Sequence, residues 1–98
     1  MAVQTTMDVY EQIAVKIIAG QEAIIGPVAI EQAQKVTGLK VDWENKEVEV
    51  SGNKVKVIED LINKYKELFG QISVEVSKQA AAGLMSQLPA NTLQEVLK

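Results

Sequence analysis

The spacing of apolar residues changes twice along this chain, and that change limits the folds it can adopt. From Val9 to Val36, apolar residues recur every three or four positions, which is typical of amphipathic helices. Between Leu39 and Val50 they alternate with polar residues, which is typical of β-strands. After Asn53 the helical spacing returns. The sequence therefore predicts a mainly α-helical fold with one short β-hairpin, an α+β arrangement.

Two helices separated by a glycine are predicted before the hairpin. The first covers about Thr6 to Ile25, with a threonine cap, Asp8 in its first turn, and Gly20 at a bend or close packing contact. Its apolar face comprises Val9, Ile13, Ile17, Ile18, Ile24 and Ile25. Gly26-Pro27 begins the second helix, because proline is favourable at a first helical position. That helix has an apolar face of Val28, Ala29, Ala33 and Val36, and ends at Thr37-Gly38.

The hairpin is predicted as an insertion at about residues 39–51. A short polar turn, Glu44-Asn45-Lys46, separates two segments of alternating residues. One face of the hairpin would be apolar, formed by Leu39, Val41, Trp43, Val48 and Val50. Ser51-Gly52-Asn53 ends the second strand and can cap the next helix.

Two further helices, again separated by a glycine, are predicted after the hairpin. The third helix has the most regular apolar face, formed by Val57, Ile58, Leu61, Ile62, Tyr65, Leu68 and Phe69. Gly70 interrupts it, and Leu88-Pro89 ends the fourth helix. We expect the fourth helix to turn four residues inward: Ile72, Val76, Ala80 and Leu84.

A last short helix is predicted at the carboxyl end. Thr92-Leu93-Gln94-Glu95 matches the capping box, and the helix would carry Leu93, Val96 and Leu97. So short a helix is not stable alone and has to dock. Its apolar residues can dock either within their own fold or on a partner.

The residues around Gly26 and Gly70 resemble each other. Ile24 to Glu31 can be aligned with Leu68 to Glu75, and apolar residues upstream of both glycines also match. Either the chain contains a duplicated helix–glycine–helix unit, or both junctions need glycine to turn an apolar helix sharply. On both interpretations Gly26, Pro27 and Gly70 are structural joints.

The Gly26-Pro27 junction and the small-residue helix after it, from Ile24 to Val36, resemble short helical modules appended to bacterial signalling and regulatory proteins. These modules carry no catalytic motif and no assigned activity. The resemblance implies a regulatory interaction domain.

The composition removes several kinds of chemistry. The chain contains no cysteine and no histidine, so we expect no disulfide, no common zinc site and no cysteine or histidine catalysis. Glycine-rich phosphate loops are also missing. All ten basic residues are lysines and the net charge is −3, which disfavours nucleic acid as a partner. The sequence therefore predicts a protein that is not an enzyme and uses no cofactor or metal.

The sequence also predicts a cytoplasmic location. The first residues lack the basic and apolar segments of a signal peptide. The most apolar region, Ile13 to Ile30, is interrupted by Lys16, Gln21 and Glu22, so we expect no membrane span.

The expected function is that of a non-enzymatic protein-interaction or regulatory module. A single domain of 98 residues buries only about two-thirds of its surface on folding, which leaves aliphatic surface for a second copy in a homodimer. The candidate interface residues are Trp43, Leu93, Val96 and Leu97. Trp43 can act as a contact anchor or as a lid over a helix. Two alternatives stay open: a winged-helix-like DNA-binding regulator, and a small-ligand-binding domain with an apolar pocket under the hairpin.

Overall fold

A computed structural model describes residues 7–89, 92, 93 and 97. Within these residues the chain forms four α-helices, one antiparallel hairpin and one 3₁₀ turn. In chain order the elements are α1 (Val9–Ile25), α2 (Val28–Ala33), β1 (Leu39–Asp42), β2 (Glu47–Val50), α3 (Lys54–Phe69), α4 (Gln71–Ala81) and the 3₁₀ turn (Met85–Gln87). The predicted mainly helical fold with a β-hairpin is confirmed.

Helix α1 begins later than predicted and with a different cap. The N-cap is Asp8, which accepts a hydrogen bond of 2.9 Å from the backbone N–H of Glu11. The Glu11 carboxylate accepts one of 3.1 Å from the N–H of Asp8. The predicted threonine cap is wrong, because this reciprocal pair satisfies two N–H groups that the first turn leaves free. Thr5 and Thr6 lie outside the described residues.

Helix α2 is shorter than predicted. It ends at Ala33, and the chain continues to Val36 in tight turns, with the N–H of Val36 donating to the carbonyl of Ala33 at 3.1 Å. These turns keep Val36 buried without continuing the helix. Helical spacing of apolar residues therefore extended beyond the helix itself.

The predicted hairpin is confirmed, and its two strands pair antiparallel. Leu39 lies opposite Val50, and Val41 opposite Val48. Three of these residues are buried, while Val41 is half-buried. The N–H of Val50 donates to the Glu11 carboxylate at 3.0 Å, which ties the hairpin to the start of α1.

Helix α1 lies at the centre of the fold. It packs against α2, α3, α4 and strand β2. Its buried isoleucines share one core with residues of α3, the hairpin and the carboxyl-terminal segment: Ile13, Ile17, Ile18, Ile58, Leu61, Ile62, Leu39, Val48, Leu88, Leu93 and Leu97.

Helix α4 presents a different face to the core from the one predicted. Ile72 is 70% exposed, while Ser73, Val74, Ser77 and Ala81 are buried. Of the other predicted inward residues, Val76 and Ala80 are half-buried and Leu84 is buried. The serines tolerate burial because their hydroxyls are hydrogen-bonded: Ser73 donates to the carbonyl of Gly70 at 2.7 Å, and Ser77 accepts from Gln21 at 3.1 Å.

Close packing between α1 and α4 depends on small residues. A Cβ atom on Gly20 would lie 3.2 Å from Cγ1 of Val76 and 3.5 Å from the Cβ of Ala80. Gly20 is thus a close packing contact, one of the two roles expected for it.

The carboxyl-terminal segment does not begin a helix at Thr92. Leu93 has a φ of 65°, in the left-handed region, so it is not the first residue of a right-handed helix. The N–H of Leu97 donates to the carbonyl of Leu93 at 3.1 Å. Gln94, Glu95 and Val96 lie outside the described residues.

Candidate protein-interaction surface

The helix pairs α1–α2 and α3–α4 turn at glycines with nearly the same conformation. Gly26 has φ 76° and ψ −158°, and Gly70 has φ 78° and ψ −165°. Their N–H groups donate to Glu22 at 2.9 Å and to Lys66 at 2.8 Å, which ends the preceding helix in the same way. Pro27, with φ −58°, directly precedes α2. We call the two turns the glycine corners, residues 23–31 and 67–75.

Two hydrogen bonds connect the corners reciprocally. Gln21, five residues before Gly26, donates to the carbonyl of Ser73 at 2.8 Å. Tyr65, five residues before Gly70, donates to the carbonyl of Ala29 at 2.6 Å. Each acceptor comes three residues after the other glycine. An approximate twofold axis relating the two helix–glycine–helix units would produce this reciprocity.

The buried positions of α1 and α3 match at the same interval. Helix α1 buries Ile13, Ala14, Ile17, Ile18 and Gln21. Helix α3 buries Val57, Ile58, Leu61, Ile62 and Tyr65. Burial at this spacing is typical of any helix with one face on the core, so the match fits both interpretations of the repeated segments.

The corners expose apolar side chains that were predicted to face inward. Among the described residues, the large apolar residues with high exposure are Ile24 (64%), Val28 (40%), Leu68 (50%) and Ile72 (70%). Each lies two positions before or after a corner glycine. Since the helix axis changes direction at the glycine, the residues beside it leave the packed face. We call these four side chains the corner patch.

Both halves of the corner patch lie at the same end of the molecule. The bond from Gln21 to Ser73 places the last turns of α1 beside the first turn of α4. The bond from Tyr65 to Ala29 places the end of α3 beside the start of α2. Residues 23–30 and 68–74 contain no charged side chain. The exposed carboxylates Glu31, Glu67 and Glu75 lie just outside these two segments. The corner end therefore has an uncharged centre with exposed apolar residues and an acidic border, a pattern found in protein interfaces.

The three predicted interface residues that the structure describes are buried or half-buried and do not form an exposed surface. Trp43 is half-buried beside α1, where its indole N–H donates to Glu22 at 3.2 Å, and the Lys46 ammonium lies 4.1 Å from the ring centroid. Leu93 and Leu97 dock within their own fold, as core residues. Val96 lies outside the described residues. That these four residues contact a partner protein stays a prediction.

Sequence reasoning missed the corner patch, although a signal was available. The aligned residues around Gly26 and Gly70 include all four patch residues at matching positions. They were assigned to inward faces because the helical spacing was continued up to each glycine.

A shallow groove of about 820 Å³ runs beside the hairpin. Its lining comes from both strands, Glu11 and Gln34. It mixes charged and apolar side chains, unlike the apolar pocket expected under the hairpin. The Glu11 carboxylate already accepts from the N–H groups of Asp8 and Val50. The Glu11 carboxylate is therefore already bonded within the fold.

An ion pair joins the starts of α1 and α3. The Lys54 ammonium donates to the Asp8 carboxylate. Burial alone would raise the pKa of Asp8, but the hydrogen bonds from Lys54 and Glu11, with the lysine charge, hold it below 3.8. Deeper in the core, burial raises the pKa of Tyr65. Among the described residues, no three acidic side chains come together in a group that could hold a metal ion.

Comparisons with protein-family models, curated proteins and solved structures find no match to this chain. Within the part of the chain that the structure describes, no helix has the length and hydropathy needed to cross a membrane.

Proposed function

We propose that this chain is a non-enzymatic protein-interaction module that forms a homodimer through apolar residues of its helices. The corner patch carries the proposal: its large exposed apolar side chains lie beside two glycine turns that hydrogen bonds connect. Exposed apolar residues that cluster, rather than scatter, mark sites where another surface docks. A regulatory role and a cytoplasmic location belong to the same proposal.

The exposed area of the patch suits a weak, reversible dimer. Full burial of an aliphatic side chain contributes about 1.5–3 kcal/mol. The patch residues are 40–70% exposed, so two copies together would gain about 7–13 kcal/mol. Association costs roughly 4–15 kcal/mol in lost freedom. The gain exceeds the cost only if the cost lies in the lower part of its range, so we expect a weak dimer with a dissociation constant in the micromolar range or above.

Some observations weigh against the two alternatives. Lys54 is paired with Asp8, and Lys56 with Asp60, so part of the basic surface of α3 is already neutralised. A DNA-binding helix needs such lysines for phosphates. The hairpin groove is open and half polar, whereas small-molecule sites are usually enclosed and mainly apolar.

Light scattering after size-exclusion chromatography, over a series of protein concentrations, tests the proposal. We expect the mass to rise from 10.7 kDa towards twice that value. Ile72→Ser should shift the transition to higher concentration, because Ile72 is the most exposed patch residue. Gln87→Ser is the matched control, since Gln87 is exposed and uncharged and lies beyond the other end of α4. A constant monomer mass at every concentration would refute the proposal.

A further inference from the structure

Building on the proposed self-association, we infer that the dimer closes around a twofold axis with both glycine corners of each copy inside one interface. The ligand of the corner patch is then a second copy of the same patch. The two corners are equivalent half-sites, with Ile24 and Val28 forming one and Leu68 and Ile72 the other.

The internal near-symmetry of the chain supports this arrangement. The bonds of Gln21 and Tyr65 are the pair of contacts that an approximate twofold axis between the corners would relate to each other. With such an axis, a half-turn would place each corner where the other one was. Two copies of the patch could then present equivalent residues to each other. In a twofold contact the same patch serves both partners, so every apolar residue of one copy can meet an apolar residue of the other.

The distribution of exposed apolar residues favours closure at two copies. An open-ended array needs two different complementary patches on each molecule. Within residues 7–89, 92, 93 and 97, the large exposed apolar residues all belong to the corner patch. When two copies meet through this patch, the described surface therefore has no second patch of large exposed apolar residues for a third copy.

The required area also fits one end of this molecule. A standard interface takes about 800 Å² from each partner, which is roughly one-seventh of the 5813 Å² surface of this chain. The corner end combines the ends of α1 and α3 with the starts of α2 and α4. Residues 23–30 and 68–74 are uncharged, and Glu31, Glu67 and Glu75 lie beside them, so an apolar contact can form without burying these carboxylates if they stay at its rim.

The first test compares equivalent positions in the two corners. Ile24→Ser and Leu68→Ser lie at the same distance before their glycines, and each change occurs in both copies of a dimer. We expect both to weaken dimerisation by a similar factor, about tenfold or more. Gln87→Ser should change it by less than about twofold. Dissociation constants from sedimentation equilibrium would measure this, with circular dichroism to verify folding. If only one corner were sensitive, the arrangement would be wrong although self-association stood.

The second test measures distances between copies. Because the chain has no cysteine, single spin labels can be placed by Ala23→Cys and Glu67→Cys, two exposed and equivalent corner positions. Ala82→Cys, exposed at the other end of α4, is the control. We expect one distance between copies for each label, shorter at both corner positions than at Ala82.

The outcomes of the second test separate the two proposals. Distances between copies that are shortest at Ala82 would overturn the corner arrangement and leave self-association intact. More than two interacting spins per particle would overturn closure. No distance between copies at concentrations up to about 1 mM would overturn self-association as well.

Discussion

The side chains of Gln21 and Tyr65 make polar contacts between the two glycine corners. Both are buried, and each donates to a backbone carbonyl of the opposite unit. When a buried carbonyl loses its hydrogen-bond donor, the free-energy cost of removing it from water is no longer offset. These two residues therefore hold the corners in their relative positions as well as fill space.

Replacing Tyr65 by phenylalanine tests that role. Tyr65→Phe keeps the ring but removes the donor to the carbonyl of Ala29, so we expect a loss of about 1–2 kcal/mol in the free energy of unfolding. Urea denaturation measures it. Tyr10→Phe, at a half-buried tyrosine, is the control and should cost less than about 0.5 kcal/mol. Equal losses in the two variants would contradict the role of this bond.

The ion pair at Asp8 predicts a dependence of stability on pH. The pKa of Asp8 is lower in the folded chain than its ordinary value of 3.8. The folded state therefore favours the charged carboxylate, and the stabilisation is complete above pH 3.8 and lost as pH falls through the folded pKa. Asp8→Asn keeps a capping side chain but not the charge. At pH 7 we expect this variant to unfold at a lower urea concentration than the original chain. In strong acid the urea midpoints of the two proteins should become similar.

The control for that measurement is Glu49→Gln. Glu49 is an exposed hairpin residue that is not among the groups acting on Asp8 or Lys54, so this variant should keep the pH dependence of the original chain. If the difference in urea midpoint between Asp8→Asn and the original chain stayed constant from pH 7 into acid, the assignment to Asp8 would be contradicted.

At the scale of elements, burial of the helices was predicted well in their middle and poorly near the glycines. The hairpin register followed from its alternation, because one face of a strand pair packs on the core and the other meets water. The face of α4 did not follow from its apolar residues. Its buried serines become acceptable only because Gly70 and Gln21 provide hydrogen bonds. Hydrophobic spacing contains no information about such partners.

The matched corners predict matched effects of alanine. Gly26→Ala and Gly70→Ala place a Cβ on a residue with φ 76° or 78°, and nothing within 4 Å of that Cβ adds a clash. We expect each to lower the free energy of unfolding by about 1–2 kcal/mol, through backbone strain alone. Thermal and urea unfolding measure this. Gly83→Ala, at a glycine with open space and no positive φ, should be neutral or stabilising. Clearly unequal costs at the two corners would contradict their equivalence.

At the scale of the whole molecule, two helix–glycine–helix units pack around a shared core, and the hairpin lies between them in the chain. The arrangement hides the middle of each long helix and exposes both turns at one end. Among the described residues, the large exposed apolar side chains lie at the corners, which is where the proposed second copy would dock.

Association through an uncharged patch should depend little on salt. We expect the dissociation constant of the dimer to change by less than about threefold between roughly 50 and 500 mM sodium chloride, because few charges lie at the contact. Dilution calorimetry at both salt concentrations measures it. The same titrations should show a negative heat-capacity change on association, as apolar burial requires. A steep loss of affinity with salt would point to a contact made by the lysines instead.

By itself the sequence determined the order of the helices and hairpin and the places where glycine turns the chain, because local periodicity and turn residues act over a few neighbours. Only the tertiary structure decided that Ile24 and Ile72 face solvent, that serines face the core and that Gln21 and Tyr65 bond reciprocally. The physical reason is that burial depends on which element covers a side chain, and helices that meet at a corner cannot cover the residues beside the turn.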